Sequence, residues 1–253
     1  MFNLFRRRPK EQTKLFYNTD MHCHILPCVD HGAQTIDDSL AMLRAEIDMG
    51  ISRVVCTSHV TAETFENTPE TLGAAFEKLK AAVKEEGLPV ELMLSAEYRI
   101  DEYWNKEYAA GHVLPMPGKY LLLENSFIQE LIGIDELMFE LQVKGYRTIL
   151  AHPERYRYYH GRHERYEKLH SMGVIFQLNI LSLAGYFGSA PRTEALWLIE
   201  HDMCSMLGSD MHNLDHADII KDYINSREWH KLIEKHQLDR RIINDFIEDT
   251  KSK

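Results

Sequence analysis

Short apolar runs alternate with longer amphipathic stretches along this 253-residue chain, and this alternation limits the fold more than any other feature of the sequence. It is the pattern of repeated strand–helix units, in which helices cover a parallel sheet. We therefore predict an α/β fold with parallel strands. The candidate strands are the seven runs 17–22, 52–57, 90–96, 119–124, 147–151, 174–178 and 204–208.

Glycine and proline mark the ends of the intervening helices, because glycine ends a helix without backbone strain and proline fits the first turn. The loop 179–190 has two interpretations: it covers a site as a lid, through Tyr186 and Phe187, or it is an ordinary packed loop. The charged tail from residue 218 is expected to be helical. The other predicted helices span 35–49, with Thr35 or Asp37 as its cap, 68–87, 133–144, 162–172 and 191–201.

The chain length fits a single barrel domain, since α/β barrels are commonly close to this size. We assign residues 17–253 to that domain and residues 1–16 to a flexible basic N-terminal segment. The opening MFNLFRRRPK lacks the apolar core of an export signal, and no stretch is apolar enough to span a bilayer. Weak contact of this segment with an anionic membrane surface stays an alternative.

Charge and cysteine content narrow the partners and the compartment. The formal net charge is −10, from 39 acidic and 29 basic residues, so a nucleic-acid partner is not expected. The four cysteines show no disulfide or zinc-finger spacing, which favours the reducing cytoplasm. None of them has an arginine six positions later, so the phosphate loop of cysteine-based tyrosine phosphatases is absent.

Histidines and carboxylates lie at or just beyond the C-terminal end of most predicted strands. In parallel barrels these ends form one rim, where active sites are built. A single buried histidine is usually structural, but donors at so many equivalent positions predict a metal centre. Such donors suit Mn²⁺, Fe²⁺ or Zn²⁺, and we expect Glu97 to bridge two ions. The donors are His22, His24, His59, Glu97, Glu124, His152, Asp210 and His212.

Two residues on the loop after the first predicted strand are possible further ligands. His31 is the preferred one, because it lies among the other donors and is followed by a turn glycine. Asp30 could equally cap the turn at Gly32.

Arginines beside these donors predict an anion site. Arg155 is the expected phosphate anchor, because it follows His152 closely and its planar guanidinium group bonds two phosphate oxygens at once. Arg157 and Arg99 are further candidates for phosphate binding, or else solvated surface charges. Glu154 is expected to hydrogen-bond a ligand histidine without binding the metal itself.

Four motifs carry a resemblance to a known superfamily. They are DMHCHILPCVDHG from Asp20, TSH ending at His59, AHPERY around His152 and GSDMHN around Asp210. Together and in this order they resemble the polymerase-and-histidinol-phosphatase (PHP) superfamily, and within it the CpsB/CapC-type tyrosine-protein phosphatases of bacterial capsule synthesis. The resemblance implies a distorted seven-stranded (β/α)7 TIM-like barrel with three metal ions, usually Mn²⁺. It also implies hydrolysis of phosphotyrosine on a bacterial tyrosine kinase of polysaccharide export.

The resemblance also implies roles for individual residues, with Arg155 binding phosphate. Two departures stand out. His31 replaces the aspartate that is usual in this subgroup, and the arginine expected a few residues beyond the last ligand is missing from 214–218. Phosphate binding is then expected to depend more heavily on Arg155. The implied metal ligands are His22, His24, His31, His59, Glu97, Glu124, His152, Asp210 and His212.

The expected chemistry is in-line attack on phosphorus by a metal-bound hydroxide, with His59 or His212 available to protonate the leaving group. Two other functions stay open: a small-molecule phosphatase, such as a histidinol-phosphatase, and a metal-stabilised binding protein without catalysis. An open, shallow site favours a phosphotyrosine peptide, whereas a lid closed by Tyr186 and Phe187 favours a metabolite. The presence of Arg155 argues against a non-catalytic scaffold.

Overall fold

The computed structural model describes residues 14–245, and strands and helices alternate through most of this range, which confirms the predicted α/β class. The strands are β1 (Thr19–Cys23), β2 (Arg53–Cys56), β3 (His59–Val60), β4 (Glu91–Leu94), β5 (Glu97–Arg99), β6 (Tyr120–Glu124), β7 (Arg147–Ala151), β8 (Ile175–Asn179) and β9 (Cys204–Gly208). The helices are α1 (Ile36–Asp48), α2 (Pro69–Glu85), α3 (Glu102–Ala109), α4 (Ile134–Val143), α5 (His163–Ser171), α6 (Ile180–Leu183), α7 (Ser189–Glu200), α8 (Leu214–Ile224), α9 (Arg227–His236) and α10 (Leu238–Arg241).

The strands form two parallel sheets. β1, β2 and β4 pair in the first sheet, and β3, β5, β6, β7, β8 and β9 pair in that order in the second. The first sheet ends where residues 57–58 separate β2 from β3 and residues 95–96 separate β4 from β5. Beyond this break β3 and β5 pair with each other, with His59 opposite Glu97. The predicted seven-stranded barrel is therefore not confirmed: residues 14–245 form nine strands in two sheets and no continuous ring.

Backbone hydrogen bonds join the two sheets where β1 and β9 end. The N–H of Asp210 donates to the carbonyl of His22 at 2.8 Å, and the N–H of His24 donates to the carbonyl of Met211 at 2.9 Å. These bonds fix the residues after β9 against those at the end of β1. Two pairs of predicted donors, far apart in sequence, thus become neighbours.

Alternation along the strands separates the apolar core into two clusters. In β6, Leu121 and Leu123 belong to the larger cluster, and Leu122 belongs to the smaller one. Because Glu124 follows Leu122 by two residues, its side chain points to the same face as the smaller cluster. Residues from both sheets make up this smaller cluster: Met21, Val55, Met116, Tyr120, Leu122, Ile149, Ala151 and Met206.

The predicted helices are present, with shifts of a few residues in their bounds. Thr35 and Thr68 begin α1 and α2 with capping boxes, as their residue types predict. Helix α7 begins at Ser189, two residues early, and the helical tail begins with α8, which Asn213 caps. Helix α3 has no counterpart among the predicted helices, although Asp101 caps it with two backbone hydrogen bonds.

Packing of the chain against its core begins before residue 17. Leu15 is buried, and its N–H donates to the carbonyl of Met49 at 2.8 Å. The ring of Phe16 stacks on that of Trp229 with centroids 5.9 Å apart. Residues 1–13 lie outside the described range. They make up most of the predicted N-terminal segment, so its expected membrane contact also falls outside this range. Within residues 14–245, no helix is long and apolar enough to cross a membrane.

Replacement of Gly208 by alanine is expected to destabilise the protein. The new Cβ would lie 2.6 Å from Nε2 of Gln177 and 2.8 Å from Cβ of His22, so strand β9 must move. We expect a loss of about 2 kcal/mol in the free energy of unfolding, measured by urea denaturation. The control is Gly73→Ala in α2, where a Cβ has no atom within 4 Å and should stabilise the helix by about 1 kcal/mol. Similar stabilities for the two variants would contradict this account.

Candidate metal centre

The donor pairs at the ends of β1 and β9 converge on one point. Nε2 of His22 and Nε2 of His24 lie 3.3 Å apart, and Oδ1 of Asp210 is 3.5 Å from the first and 3.3 Å from the second. All three side chains are buried. His22 and His24 are two residues apart at the end of β1, so their side chains point in the same direction, as the sequence spacing predicts.

Glu97 stands at the centre of the cluster and is completely buried. Its Oε1 lies 3.4 Å from Nε2 of His22 and 3.0 Å from Nε2 of His152. Its Oε2 lies 3.4 Å from Nε2 of His24 and 3.0 Å from Nδ1 of His59. Each of the two oxygens therefore faces two imidazoles.

Eight of the nine predicted ligands fall into groups whose donor atoms lie within 4.8 Å of one another. The ninth, His31, is not part of these groups. It is exposed at the rim, with its ring centroid 4.4 Å from that of His212 and 4.9 Å from that of His59. The groups are His24, His59 and His212; His22, Glu97 and His152; His22, His24 and Asp210; and His59, Glu97 and Glu124.

Unsatisfied polar atoms in this cluster fit a metal ion. Nδ1 of His59, Oε2 of Glu97, Nδ1 of His152 and Nε2 of His212 are buried without a hydrogen-bond partner. Buried polar groups are costly unless something satisfies them, and a cation would satisfy those that face the cluster. The residues can therefore bind metal, and their nitrogen and oxygen donors match Mn²⁺, Fe²⁺ or Zn²⁺.

Charge inside the cluster also favours a cation. Burial alone would raise the pKa of the Glu97 and Asp210 carboxyls, yet the facing His22 holds both well below their usual values. Although burial opposes it, the same two carboxylates raise the pKa of His22 to about 9. Burial and the neighbouring His24 lower the pKa of His212 to about 2, so this ring is neutral. The carboxylates thus favour positive charge at the centre.

Two amide residues on β8 position the donors, and the sequence analysis missed them. Nδ1–H of His22 donates to Oε1 of Gln177 at 2.8 Å, which leaves its Nε2 for a metal. Nε2 of Gln177 donates to Oδ1 of Asn179 at 2.9 Å, and Nδ2 of Asn179 donates to Oδ2 of Asp210 at 2.6 Å. The one available signal was their spacing of two residues at a strand end, which repeats that of the ligand pairs.

Asp30 caps the turn and also orients a histidine. Its Oδ1 accepts from the N–H of Gly32 at 2.9 Å, as one of the two interpretations predicts. Its Oδ2 accepts from Nδ1–H of His24 at 2.9 Å and from the N–H of His59 at 3.0 Å. Asp30 therefore supports the ligands from outside the cluster.

Glu154 supports a different neighbour from the one expected. Its Oε1 accepts from the backbone N–H of Asn179 at 3.0 Å, and within residues 14–245 its carboxylate makes no hydrogen bond to a histidine. Because Asn179 in turn holds Asp210, Glu154 acts on the site through the end of β8.

Two of the three candidate arginines face the cluster. Nη1 of Arg155 lies 2.8 Å from Oδ2 of Asp210, and its guanidinium carbon lies 4.8 Å from the Phe127 ring centroid and 4.0 Å from that of Phe187. Arg99 binds Oε2 of Glu124 through Nε at 3.0 Å and Nη2 at 2.9 Å. The third arginine, at position 157, is exposed and lines an outer cavity.

A cavity of about 440 Å³ opens above the cluster. Tyr186 and Phe187 line it, so the loop 179–190 reaches over the site, and Tyr186 is 48% exposed at its edge. His216 also lines the cavity, within the stretch where an arginine was expected. Its Nδ1 accepts from the N–H of His212 at 3.3 Å, and its Nε2 lies 3.1 Å from the Tyr186 hydroxyl.

Comparison with known proteins finds one family. A family model for capsular polysaccharide synthesis, CpsB/CapC, matches residues 18–224. Tyrosine-protein phosphatase YwqE of Bacillus subtilis (strain 168) is 32% identical over 196 residues, which cover 77% of each chain. Tyrosine-protein phosphatase CpsB of Streptococcus pneumoniae is 28% identical over 203 residues, which cover 78% of this chain and 83% of that one.

Solved structures agree with this match. Crystal structures of YwqE from Bacillus subtilis and CpsB from Streptococcus pneumoniae, unique metal-dependent tyrosine phosphatases, include a chain with a TM-score of 0.73 and 29% identity. The match covers 88% of this chain and 95% of that one. The lactonase Lmo2620 from Listeria monocytogenes has a TM-score of 0.53 at 10% identity, covering 94% and 91% of the two chains, and shares the fold alone.

Replacement of Gln177 by leucine is expected to weaken metal binding. The change removes the acceptor for Nδ1–H of His22 and one link to Asn179, so both the ring and Asp210 lose their support. We expect metal affinity to fall about 10- to 100-fold, measured by competition with a fluorescent chelator. The control is Gln142→Leu, which removes a hydrogen bond to Thr148. Equal metal affinity in the two variants would show that Gln177 does not position the centre.

Proposed function

The chain belongs to the CpsB/CapC family of capsular polysaccharide synthesis, and we propose that it is a metal-dependent protein-tyrosine phosphatase. The observation that carries the proposal is the position of Arg155. Its guanidinium group lies 2.8 Å from the Asp210 carboxylate at the edge of the donor cluster, and it lines the same cavity. A phosphoryl group bound there would contact the arginine and the metal donors together.

We propose that the nine residues named from the sequence hold the metal, with His31 completing the rim beside His212. When bound, the ions supply an acidified water as the nucleophile and positive charge for the phosphoryl oxygens. Mn²⁺ in three positions is the finer proposal, which the nitrogen and oxygen donors and the bridging geometry of Glu97 support.

Arg155 would bind and orient the phosphoryl group. Its fork presents two N–H groups to two oxygens, and the rings of Phe127 and Phe187 hold the guanidinium plane in place. This preorganised charge stabilises the transition state, where negative charge spreads over the phosphoryl oxygens. Arg99 would act mainly through Glu124, because both of its hydrogen bonds go to that carboxylate.

The leaving group needs little help from an acid, because tyrosine has an ordinary pKa of about 10. We propose His212 as a ligand and not as a proton donor, since burial and its neighbours lower its pKa to about 2. His59 would be the donor only if it does not hold a metal. Its Nδ1 faces Glu97, and the ring lines the cavity that the substrate would enter.

The shape of the site supports a peptide substrate. The cavity over the metal centre shares Phe127, Arg155 and Phe187 with a second cavity of about 740 Å³, so the two cavities lie side by side at Arg155. The cavity over the metal centre stays open at Tyr186, which is 48% exposed, and this opening favours phosphotyrosine over a small metabolite such as histidinol phosphate. The finer proposal is phosphotyrosine on a bacterial tyrosine kinase of polysaccharide export, hydrolysed in the cytoplasm.

Removal of metal is expected to abolish hydrolysis. Treatment with EDTA should lower the turnover of a phosphotyrosine peptide by at least about 100-fold, and added Mn²⁺ should restore it, because the acidified water is lost with the ion. Histidinol phosphate is assayed beside the peptide, and bound metal is counted by elemental analysis. Preference for histidinol phosphate would overturn the substrate, whereas bound metal without turnover of either compound would point to a binding protein.

Replacement of Arg155 by lysine should separate phosphate binding from metal binding. Lysine keeps the charge but loses the planar fork and its stacking on two phenyl rings. We expect kcat/KM for the peptide to fall about 100-fold with metal content unchanged. Arg162→Lys is the matched control, because Arg162 is exposed and pairs only with Glu164 within residues 14–245. Full activity of the Arg155→Lys enzyme would remove Arg155 from the mechanism.

A further inference from the structure

A second cavity lies beside the metal centre, and we propose that it binds an acidic residue flanking the phosphotyrosine of the substrate. Its volume is about 740 Å³, and Phe127, Arg155 and Phe187 form its border with the cavity over the metal centre. A peptide whose phosphate contacts Arg155 would therefore lie beside this second cavity. The inference rests on the proposed phosphatase function and adds a preference within the substrate sequence.

The wall of this cavity is positively charged. Arg155 and Arg157 contribute to it, and no aspartate or glutamate is among the residues that line it. This contrasts with the whole chain, in which 39 acidic residues outnumber 29 basic ones. A cationic recess in an acidic protein favours an anionic ligand and disfavours a basic one.

Arg157 is the residue that is free to bind such a ligand. It begins the short 3-10 helix Arg157–Tyr159, and within residues 14–245 it forms no ion pair. The flanking tyrosines fix this segment: Tyr156 is buried, and the hydroxyl of Tyr158 donates to the carbonyl of Ser126 at 2.7 Å. A guanidinium group on a fixed support loses less conformational entropy on binding than one on a mobile loop.

The first turn of α7 forms another part of the wall and adds to the charge. Gly188 precedes this helix, has no side chain to cap it, and is followed by no acidic residue in the first turn. The positive end of the helix dipole is therefore not neutralised from within the helix. The two arginines provide most of the positive charge of the cavity wall, and the helix end adds to it.

The dimensions set the distance of the acidic residue from the phosphotyrosine. A cavity of about 740 Å³ is roughly 11 Å across if treated as a sphere, and an extended chain advances about 3.4 Å per residue. Arg157 is two residues from the phosphate anchor Arg155 and lines the same space. We therefore place the acidic residue within about three positions of the phosphotyrosine.

The test uses the metal-loaded full chain and three phosphotyrosine peptides that differ only in the flanking residues: glutamate, alanine or lysine. The wild-type enzyme should show kcat/KM values in the order glutamate, alanine, lysine, with steps of about fivefold. Arg157→Glu should invert this order, which a merely structural role for Arg157 would not do. Arg162→Glu, five residues further along the chain and not among the residues that line this cavity, should keep the wild-type order.

Phenyl phosphate, which has no flanking residues, tests the phosphatase activity separately from the acidic subsite. Turnover of phenyl phosphate and equal kcat/KM for all three peptides would overturn the acidic subsite and leave the phosphatase function standing. An equal loss on all three peptides in Arg157→Glu would overturn the subsite as well. Failure of the wild-type enzyme on phenyl phosphate and every peptide would overturn the phosphatase function itself.

Discussion

The buried carboxylate of Glu97, surrounded by four imidazoles, is the interaction on which the rest of the structure depends. A charge without solvent exposure is costly unless opposite charges and donors surround it. Those partners lie at the ends of three different strands, so they meet only if the strand ends converge. They are His22 in β1, His24 just after β1, His59 in β3 and His152 just after β7. The packing of the strands and the assembly of the site are therefore one physical requirement, which a bound cation would complete.

A second layer of hydrogen bonds fixes the orientation of the ligand side chains around this centre. Gln177 and Asp30 each accept from the Nδ1–H of a ligand histidine, so the Nε2 atoms of His22 and His24 point inward. Arg155 connects the centre to the substrate side, because it pairs with Asp210 and lines both cavities. The fold alone would not indicate this chemistry, since a protein with another named activity shares it at 10% identity. The donor set and its neighbouring arginine are what support phosphate hydrolysis.

Much of the site was predictable because strand ends follow simple rules. Residues two apart at the end of a strand point the same way, and the C-terminal ends of parallel strands meet at one edge. The pairs His22 with His24 and Asp210 with His212 were located on that basis, and the residue types at Thr35 and Thr68 located the starts of α1 and α2. The predicted seven strands were less accurate, because the run 90–96 divides at residues 95–96 and a new strand begins at His59. Local propensity contains no information on where a sheet breaks.

The sequence by itself determined the α/β class and which histidines and carboxylates gather at the strand ends, because these follow from the order and spacing of side chains along one chain. Only the tertiary structure decided that Gln177 and Asn179 hold the donors, that Arg99 binds Glu124, and that His31 stands outside the four groups. Amide and guanidinium groups serve many purposes, so their role depends on what lies opposite them in space. Those partners are brought together from distant segments by packing.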